Sequence, residues 1–392
     1  MTSSRRDFLA GAALAAAPLF LPDSAKGAND RLTYGLIGAG GRGRFLSRAF
    51  QQHGARCVAL CDVYSVSMDL ARAESPDDAT AYGDYRELLA RKDLDFVVIA
   101  TPDHQHRPCL EAALAAGQDV YLEKPLSMSL AESKLMVDAV RKTDRVVQIG
   151  MQRRSMPFIH RAKTLLDEGV IGRISMVKAK WNWNFLLPLD NSPLPGALDW
   201  DAFLGPAPKR PLEPRRFRWW RGFWDYSGGN MTDQGTHLMD VVQWLTGAGT
   251  PQSAVCQGKL INVPGAEVPN VFSAVFEYPG FLVTWTLDYQ SAFEFDWSIQ
   301  FIGDAGAMVL NREGCRVYDD PGISPQPWSV NPAPRVIYME ADLDKGTSHM
   351  KNMLDCVRSR REPNCPIEVA AAAVAGPHMA NIAYREDRKV KA

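Results

Sequence analysis

Thr33-Tyr34-Gly35-Leu36-Ile37-Gly38-Ala39-Gly40-Gly41-Arg42-Gly43-Arg44-Phe45-Leu46 decides how the rest of the chain is read. The apolar run Tyr34 to Ile37 predicts a buried strand, and a helical pattern begins at Arg44, with Gly38-x-Gly40-x-x-Gly43 between them. Strand, glycines, helix is the order that a dinucleotide-binding loop requires. Gly38 permits the tight turn, Gly40 lets backbone N–H groups approach a pyrophosphate, and Gly43 lets helix and strand pack closely. The helix N-terminus, with Ala39, Gly41 and Arg42 around it, then offers unpaired N–H groups and a positive dipole end to phosphates. A second apolar run, Cys57 to Cys61, ends at Asp62, 19 residues after Gly43. A carboxylate there accepts hydrogen bonds from a ribose 2′-hydroxyl and repels a 2′-phosphate, so NAD is expected in preference to NADP. The plainer alternative, a glycine turn and an Asp that caps a loop, explains neither the spacing nor the context.

At 392 residues the chain is long for one core, so two domains are expected. With 44 basic against 45 acidic residues, nothing in the charge balance points to nucleic acid or an anionic membrane as partner. The seven Cys show no C-x-x-C pair and no regular spacing, so neither a disulfide framework nor structural zinc is predicted. Cys356 and Cys365 could pair only in an oxidising compartment. No H-E-x-x-H motif or three-ligand His/Cys cluster appears, and no metal is proposed.

Residues 1–30 read as separate from the fold. Ser4-Arg5-Arg6-Asp7-Phe8-Leu9 precedes an apolar run from Ala10 to Leu21, twelve residues and too short for a permanent span. A twin arginine ahead of a short Ala-rich segment reads as a Tat export signal, which places the protein in the periplasm or outside the cell. A nucleotide-binding protein exported that way must carry its cofactor with it, so NAD is expected to be tightly bound.

Residues 31–152 alternate strand and helix, which predicts a doubly wound parallel sheet. Phe96 to Ala100 ends in Thr101-Pro102-Asp103-His104-Gln105-His106, and Asp119 to Leu122 delivers Glu123-Lys124-Pro125 to the same edge. Ligands bind at that carboxyl edge in such sheets. Asp233 and His237 lie at i and i+4, on one face of a helix expected from about Met231 to Trp244, with Gly228-Gly229-Asn230 before it. An ordinary surface contact at that spacing is the bland alternative.

Gly38-Ala39-Gly40-Gly41-Arg42-Gly43, Thr101 to His106, Glu123-Lys124-Pro125 and Asp233-Gln234-Gly235-Thr236-His237 occur in that order. Together they resemble the glucose–fructose oxidoreductase, inositol dehydrogenase and MocA family over essentially all of residues 31–392. The resemblance implies a second domain, 153–392, built on a large, mostly antiparallel open sheet that serves substrate binding and oligomerisation, with a dimer or tetramer expected. Alternating runs agree: 173–183, 253–263, 270–277, 282–288, 298–303 and 307–311. Helices are expected at 158–168, 348–358 and 369–384.

By resemblance, Lys124 would hydrogen-bond the substrate oxygen, His237 would act as acid and base, and Asp233 would orient the substrate or the Lys–His pair. Thr101, Pro102 and Glu123 would border the cofactor, and His104 and His106 would either flank the nicotinamide or cap their loop. Gln152, Arg153, Asn182, Asn184 and Asn230 are further candidates for the sugar pocket, and Asp240 reads as structural. A long segment, 185–227, carries Arg215-Arg216-Phe217-Arg218-Trp219-Trp220-Arg221-Gly222-Phe223-Trp224, which suits a ligand lid or a packed surface loop in equal measure. The expected function is hydride transfer between NAD and a hydroxyl of a sugar, sugar derivative or cyclitol. The alternative is a redox-neutral glycosidase working on bound NAD. A non-catalytic sugar sensor is disfavoured by the intact Lys124, Asp233 and His237.

Overall fold

The computed structural model describes residues 31–183, 189–261, 263–288, 293–320, 333–344 and 346–392. Asn184 and the suggested signal segment, residues 1–30, lie outside the described residues.

Six strands form the first sheet: β1 (Thr33–Ile37), β2 (Arg56–Cys61), β3 (Thr80–Tyr82), β4 (Phe96–Ile99), β5 (Asp119–Leu122) and β6 (Val147–Ile149). Their order is β3-β2-β1-β4-β5-β6, and every pairing is parallel. β1 and β4 are central and apolar throughout, as a sheet covered on both faces demands. The order reverses between β1 and β4, which opens a crevice at the carboxyl ends of exactly the strands that carry the glycine loop and Thr101-Pro102-Asp103. One core cluster lies on each face of the sheet, around Leu110 and Met136 on one side and Leu46, Phe50 and Met353 on the other.

The second sheet has nine strands: β7 (Ile174–Asn182), β8 (Ser253–Lys259), β9 (Val271–Tyr278), β10 (Phe281–Leu287), β11 (Asp296–Gly303), β12 (Gly306–Asn311), β13 (Gly314–Asp319), β14 (Val336–Ala341) and β15 (Val390–Lys391). The order is β14-β13-β12-β11-β7-β10-β9-β8-β15, antiparallel except for the parallel pair β10 and β7. One face buries a core against the helices Pro157–Asp167, Gly229–Thr246 and Ile367–Glu386. The last of these packs its N-terminal half, through Ala370 and Val374, in the core of the first sheet, and its later residues Met379 and Ala383 in that of the second.

Two sequence expectations need correcting here. The second sheet has more strands than the alternation predicted: β13, β14 and β15 were not foreseen. β14 is a largely exposed edge strand, and β15 is a two-residue pairing with β8. The helix carrying Asp233 starts at Gly229, so Gly229 and Asn230 form its first turn instead of preceding it. Gly229 has φ +65°, a conformation that favours glycine, which is why the sequence alone reads as a break.

Candidate active site

The helix after β1 begins at Gly41 with Gly40 as its cap, and no side chain caps it, so its first N–H groups stand open at the crevice. A Cβ built on Gly40 or Gly41 would meet nothing within 4 Å, whereas one on Gly43 would come within 1.9 Å of the Gly38 carbonyl oxygen. Gly38 has φ +88°, and a Cβ there would lie 2.7 Å from Ala100. The loop is thus tight where chain meets chain and open where a phosphate would sit. Asp62, at the end of β2, accepts from the backbone N–H of Ala39 at 2.7 Å and of Tyr64 at 2.8 Å. Burial pushes its carboxyl above the ordinary range, and the backbone donors oppose that. These features fit an NAD pyrophosphate and ribose.

The crevice forms a cleft of about 960 Å³, lined among others by Gly40, Asp62, Thr101, Pro102, Lys124 and His237. Volume and polarity suit a dinucleotide with a small polar partner. Replacing Asp62 by alanine is expected to weaken NAD binding about tenfold, the worth of a charge-assisted hydrogen bond, and to erase the preference over NADP. Titration of both nucleotides checks this.

Lys124 leaves the end of β5 and reaches across to the helix Gly229–Thr246. Its Nζ lies 2.5 Å from Asp233 Oδ1 and donates to the Asp233 carbonyl at 3.0 Å. The other carboxylate oxygen of Asp233 accepts from Arg221 Nε at 3.1 Å and from Gln234 Nε2 at 3.2 Å. Burial raises the pKa of Asp233, but Arg221 and Lys124 outweigh it and hold the group at about 2, fully ionised at neutral pH. One turn on, His237 is driven the other way. Burial first, then the charges of Lys124, Arg153 and Arg42, keeps its imidazole neutral, well below the ordinary value. The neutral imidazole has a free lone pair to accept a proton, while the same burial and cations make it a weaker base than an exposed histidine. Lys124 and His237, 113 positions apart in sequence, therefore line one cleft with the glycine loop.

Behind Lys124, Glu123 is buried and takes Arg42 Nε at 2.7 Å, which ties the first turn of the phosphate-facing helix to the end of β5. Of the remaining sequence candidates, Gln152 lines the cleft, while Arg153 lies beneath it with its guanidinium 5.0 Å from the Trp181 ring centroid and 4.2 Å from that of Trp297. Burial lowers the Arg153 pKa to about 10. Asn182 accepts from the Asp288 N–H, and Asn230 borders a small side cavity with Arg221. Asp240 is paired with Arg154. His104 and His106 are turned away from the cleft: His104 Nε2 lies 2.7 Å from the Phe203 carbonyl, and the ring nitrogens of His106 face the carbonyls of Pro125 and Thr101.

Two residues at the site were not singled out from sequence. Arg221 was visible only as one member of a basic and aromatic run. Asp103 was visible only as part of the Thr101-to-His106 cluster. It lines the cleft, accepts from Ser227 Oγ at 2.7 Å, and is pushed up to about 7 by burial and by the nearby Asp233 charge. Among the described residues no group of three His, Cys, Asp or Glu side chains could hold a metal ion, and no helix is long and apolar enough to cross a membrane. All seven cysteines are buried free thiols.

Residues 32–151 match the oxidoreductase family profile of the NAD-binding Rossmann fold, and residues 162–259 match the C-terminal alpha/beta domain of the same family. The chain belongs to the Gfo/Idh/MocA oxidoreductase family. It is an NAD-dependent enzyme, and the observed pair of sheets is the family's architecture. An uncharacterized oxidoreductase, YrbE, of Bacillus subtilis is 22% identical over 86% of this chain and 89% of its own. Inositol 2-dehydrogenase of Salmonella typhimurium is 32% identical over 38% of this chain, a match that spans 45% of that enzyme. Levoglucosan dehydrogenase of Pseudarthrobacter phenanthrenivorans is 31% identical over 44% of this chain and 38% of its own. A levoglucosan dehydrogenase structure in complex with NADH superposes with a TM-score of 0.72 at 20% identity, covering 92% of this chain and 99% of that one. At that identity it speaks for the fold.

Proposed function

We propose that the protein is a dehydrogenase that moves a hydride between NAD and a secondary hydroxyl carbon of a sugar, sugar derivative or cyclitol. The observation that carries this reading is the meeting of Lys124, Asp233 and a neutral His237 in the cleft that also holds the open glycine loop. The names of two relatives, an inositol and a levoglucosan dehydrogenase, support a polyhydroxylated substrate.

In this reading NAD, when bound, supplies the hydride acceptor. Lys124, held in place by Asp233, donates a hydrogen bond to the substrate oxygen as it becomes a carbonyl. His237 takes the hydroxyl proton, and in the reverse direction returns it. Asp233 fixes the ammonium through its side chain and its carbonyl, and Arg221 holds Asp233 in turn. Gln152 is placed to hydrogen-bond a further hydroxyl. The experiment is a panel of cyclitols, anhydrosugars and glycosides with NAD, read as NADH absorbance and as aglycone release. NADH formed in proportion to a ketone product supports the dehydrogenase. Aglycone release with no net NADH would replace it with the redox-neutral glycosidase, whose first oxidation needs the same residues.

We further propose that residues 1–30 are a Tat export signal, for the twin arginine and the short apolar run given above. Mass analysis of the periplasmic protein tests it, since a mature chain retaining those residues in the cytoplasm overturns it. The exposed Val255, Leu282, Ile337 and Met339 on strands of the second sheet support a homodimer or tetramer, to be weighed by light scattering.

A further inference from the structure

Residues 189–227 are bolted to the nucleotide-binding sheet at two places, one on each side of the cleft. At the first, immediately after Asp62, the Ser65 N–H donates to the Ala197 carbonyl at 2.9 Å and the Asp199 N–H donates to the Val63 carbonyl at 2.9 Å. The Ala197 N–H donates to Ser65 Oγ at 3.0 Å, and the Phe217 ring stands edge-on to Tyr64 at 4.9 Å. At the second, in the loop after β4, Gln105 Nε2 donates to the carbonyls of Ala202 and Phe203, each at 2.9 Å, and Ser227 Oγ donates to Asp103 at 2.7 Å. His104 Nε2 also meets the Phe203 carbonyl, at 2.7 Å, and burial holds that imidazole at about 4, neutral at all working pH values.

The segment has its own small core. Phe203, Leu204, Phe223 and Tyr226 are buried in it, with Val63 packed against them. Its arginines do not present a free basic face: Arg215 and Arg216 pair with Glu213, Arg216 also with Glu267, and Arg210 with Asp225. It is therefore an ordered strap whose arginines are paired within it and with Glu267 and Asp233 beside it. Asp199, Ala202, Phe203, Phe217 and Arg218 line the cleft together with Gly40, Asp62, Tyr85 and Arg86. The carboxylate that ends the second strand marks the ribose side of such a cleft, so the strap residues beside Asp62 border that side, while Trp220 and Arg221 of the same segment reach the side of Lys124 and His237.

We propose that residues 189–227 form a clasp over the adenosine half of NAD, so that the nucleotide stays bound through turnover and exchanges only when the clasp lifts. Lifting must break the bonds at Val63–Ser65 or at Asp103–Gln105 and expose aromatic rings now buried, so the clasp acts on the release rate before it acts on hydride transfer. This inference does not depend on which hydroxyl is oxidised.

The test uses the full-length protein and NADH itself. Nucleotide is measured by mass after denaturing protein that has been desalted, and the NADH release rate is read as loss of bound-NADH fluorescence on chasing with excess NAD. Wild type should retain nucleotide through desalting and release NADH over minutes or longer. Gly196→Val should speed release by about tenfold or more, because a Cβ at Gly196 would lie 2.6 Å from Ser65 Oγ and 2.6 Å from the Val66 side chain. Ser65→Ala, which removes one bond of the clasp, should speed it by about two- to fivefold. Neither position lines the cleft, so faster release speaks for the clasp and not for a lost nucleotide contact. Release from wild type within a second overturns the proposal, as does an unchanged rate in folded Ser65→Ala and Gly196→Val. Should Gly196→Val fail to fold by circular dichroism, the wild-type rate and Ser65→Ala still decide.

Discussion

Replacing Lys124 by methionine is expected to lower kcat/KM by at least about a thousandfold while NADH binding changes little. The side chain keeps its length and apolar stem, so what is lost is the ammonium. That ammonium lies 2.5 Å from Asp233 and at 12% side-chain exposure, so its field is weakly screened and falls on whatever oxygen enters beside it. An objection is that the variant merely breaks a buried ion pair and loosens the site. Arg221 remains on the other oxygen of Asp233, so the stability loss should be moderate, about 1–3 kcal/mol. The double variant Lys124→Met with Asp233→Asn removes the carboxylate that has lost its ammonium, and Arg221, at 33% side-chain exposure, is open enough to water to stand without it, so most of that loss should be recovered. Activity should not recover with it. If activity returns in the double variant along with stability, the pair is structural and the role of Lys124 proposed above falls.

The nucleotide half of the fold was legible because its signals are local. Glycines at fixed spacing, an Asp after the next apolar run and continuous apolar strands all act within a few residues of where they stand. β1, β2, β4, β5 and β6 accordingly lie where their apolar runs do. β3 escaped notice because Thr80-Ala81-Tyr82 is three residues on the sheet edge, too short for a period. In the second sheet the middle strands β7, β9, β10 and β11 alternate strongly and were readable. β14 and β15 exist because a neighbouring edge is available to pair with, and a pairing partner is not written in a strand's own residues.

The site divides the same way. Lys124, Asp233 and His237 could be set apart by motif, and the fold brings them to one cleft. The part played by Arg221 could not be read, because a guanidinium 12 positions before its carboxylate partner has no helical or strand periodicity to announce it. His104 and His106 attract attention in sequence as two histidines at a strand's carboxyl end. In the structure His104 Nε2 meets a strap carbonyl and His106 faces the carbonyls of Pro125 and Thr101, and the strap and Pro125 contacts come only from tertiary packing. The same packing turned an Arg- and Trp-rich stretch with several readings into a strap of paired arginines.

The buried histidines of the chain, His349 and His378 among them, set up a steep loss of stability on acidification. Burial lowers His104, His349 and His378 to about 4 each, from an ordinary value near 6.5, and lowers His106 and His237 in the same direction. Between those limits the unfolded chain binds protons that the folded chain refuses, so stability must fall as pH drops from about 6.5 toward 4, by up to about 3 kcal/mol for each histidine. Asp103 works against this. Its folded pKa of about 7 lies above the unfolded one, so its burial costs least in acid and offsets roughly one of the three histidines. Asp233, held at about 2, adds a further loss only below the ordinary carboxylate range, near pH 4 and under. The net expectation is a urea midpoint that drops between pH 7 and pH 4.5. His378→Asn isolates one contributor, since His378 meets only the Ser127 hydroxyl, at 3.3 Å, among the hydrogen bonds of the described residues. In that variant the slope of stability against pH in this window should be shallower by about 1.4 kcal/mol per pH unit, the worth of one proton. An identical slope in the variant and wild type would mean that His378 titrates normally in the folded protein, and that its burial is not as dry as the packing requires.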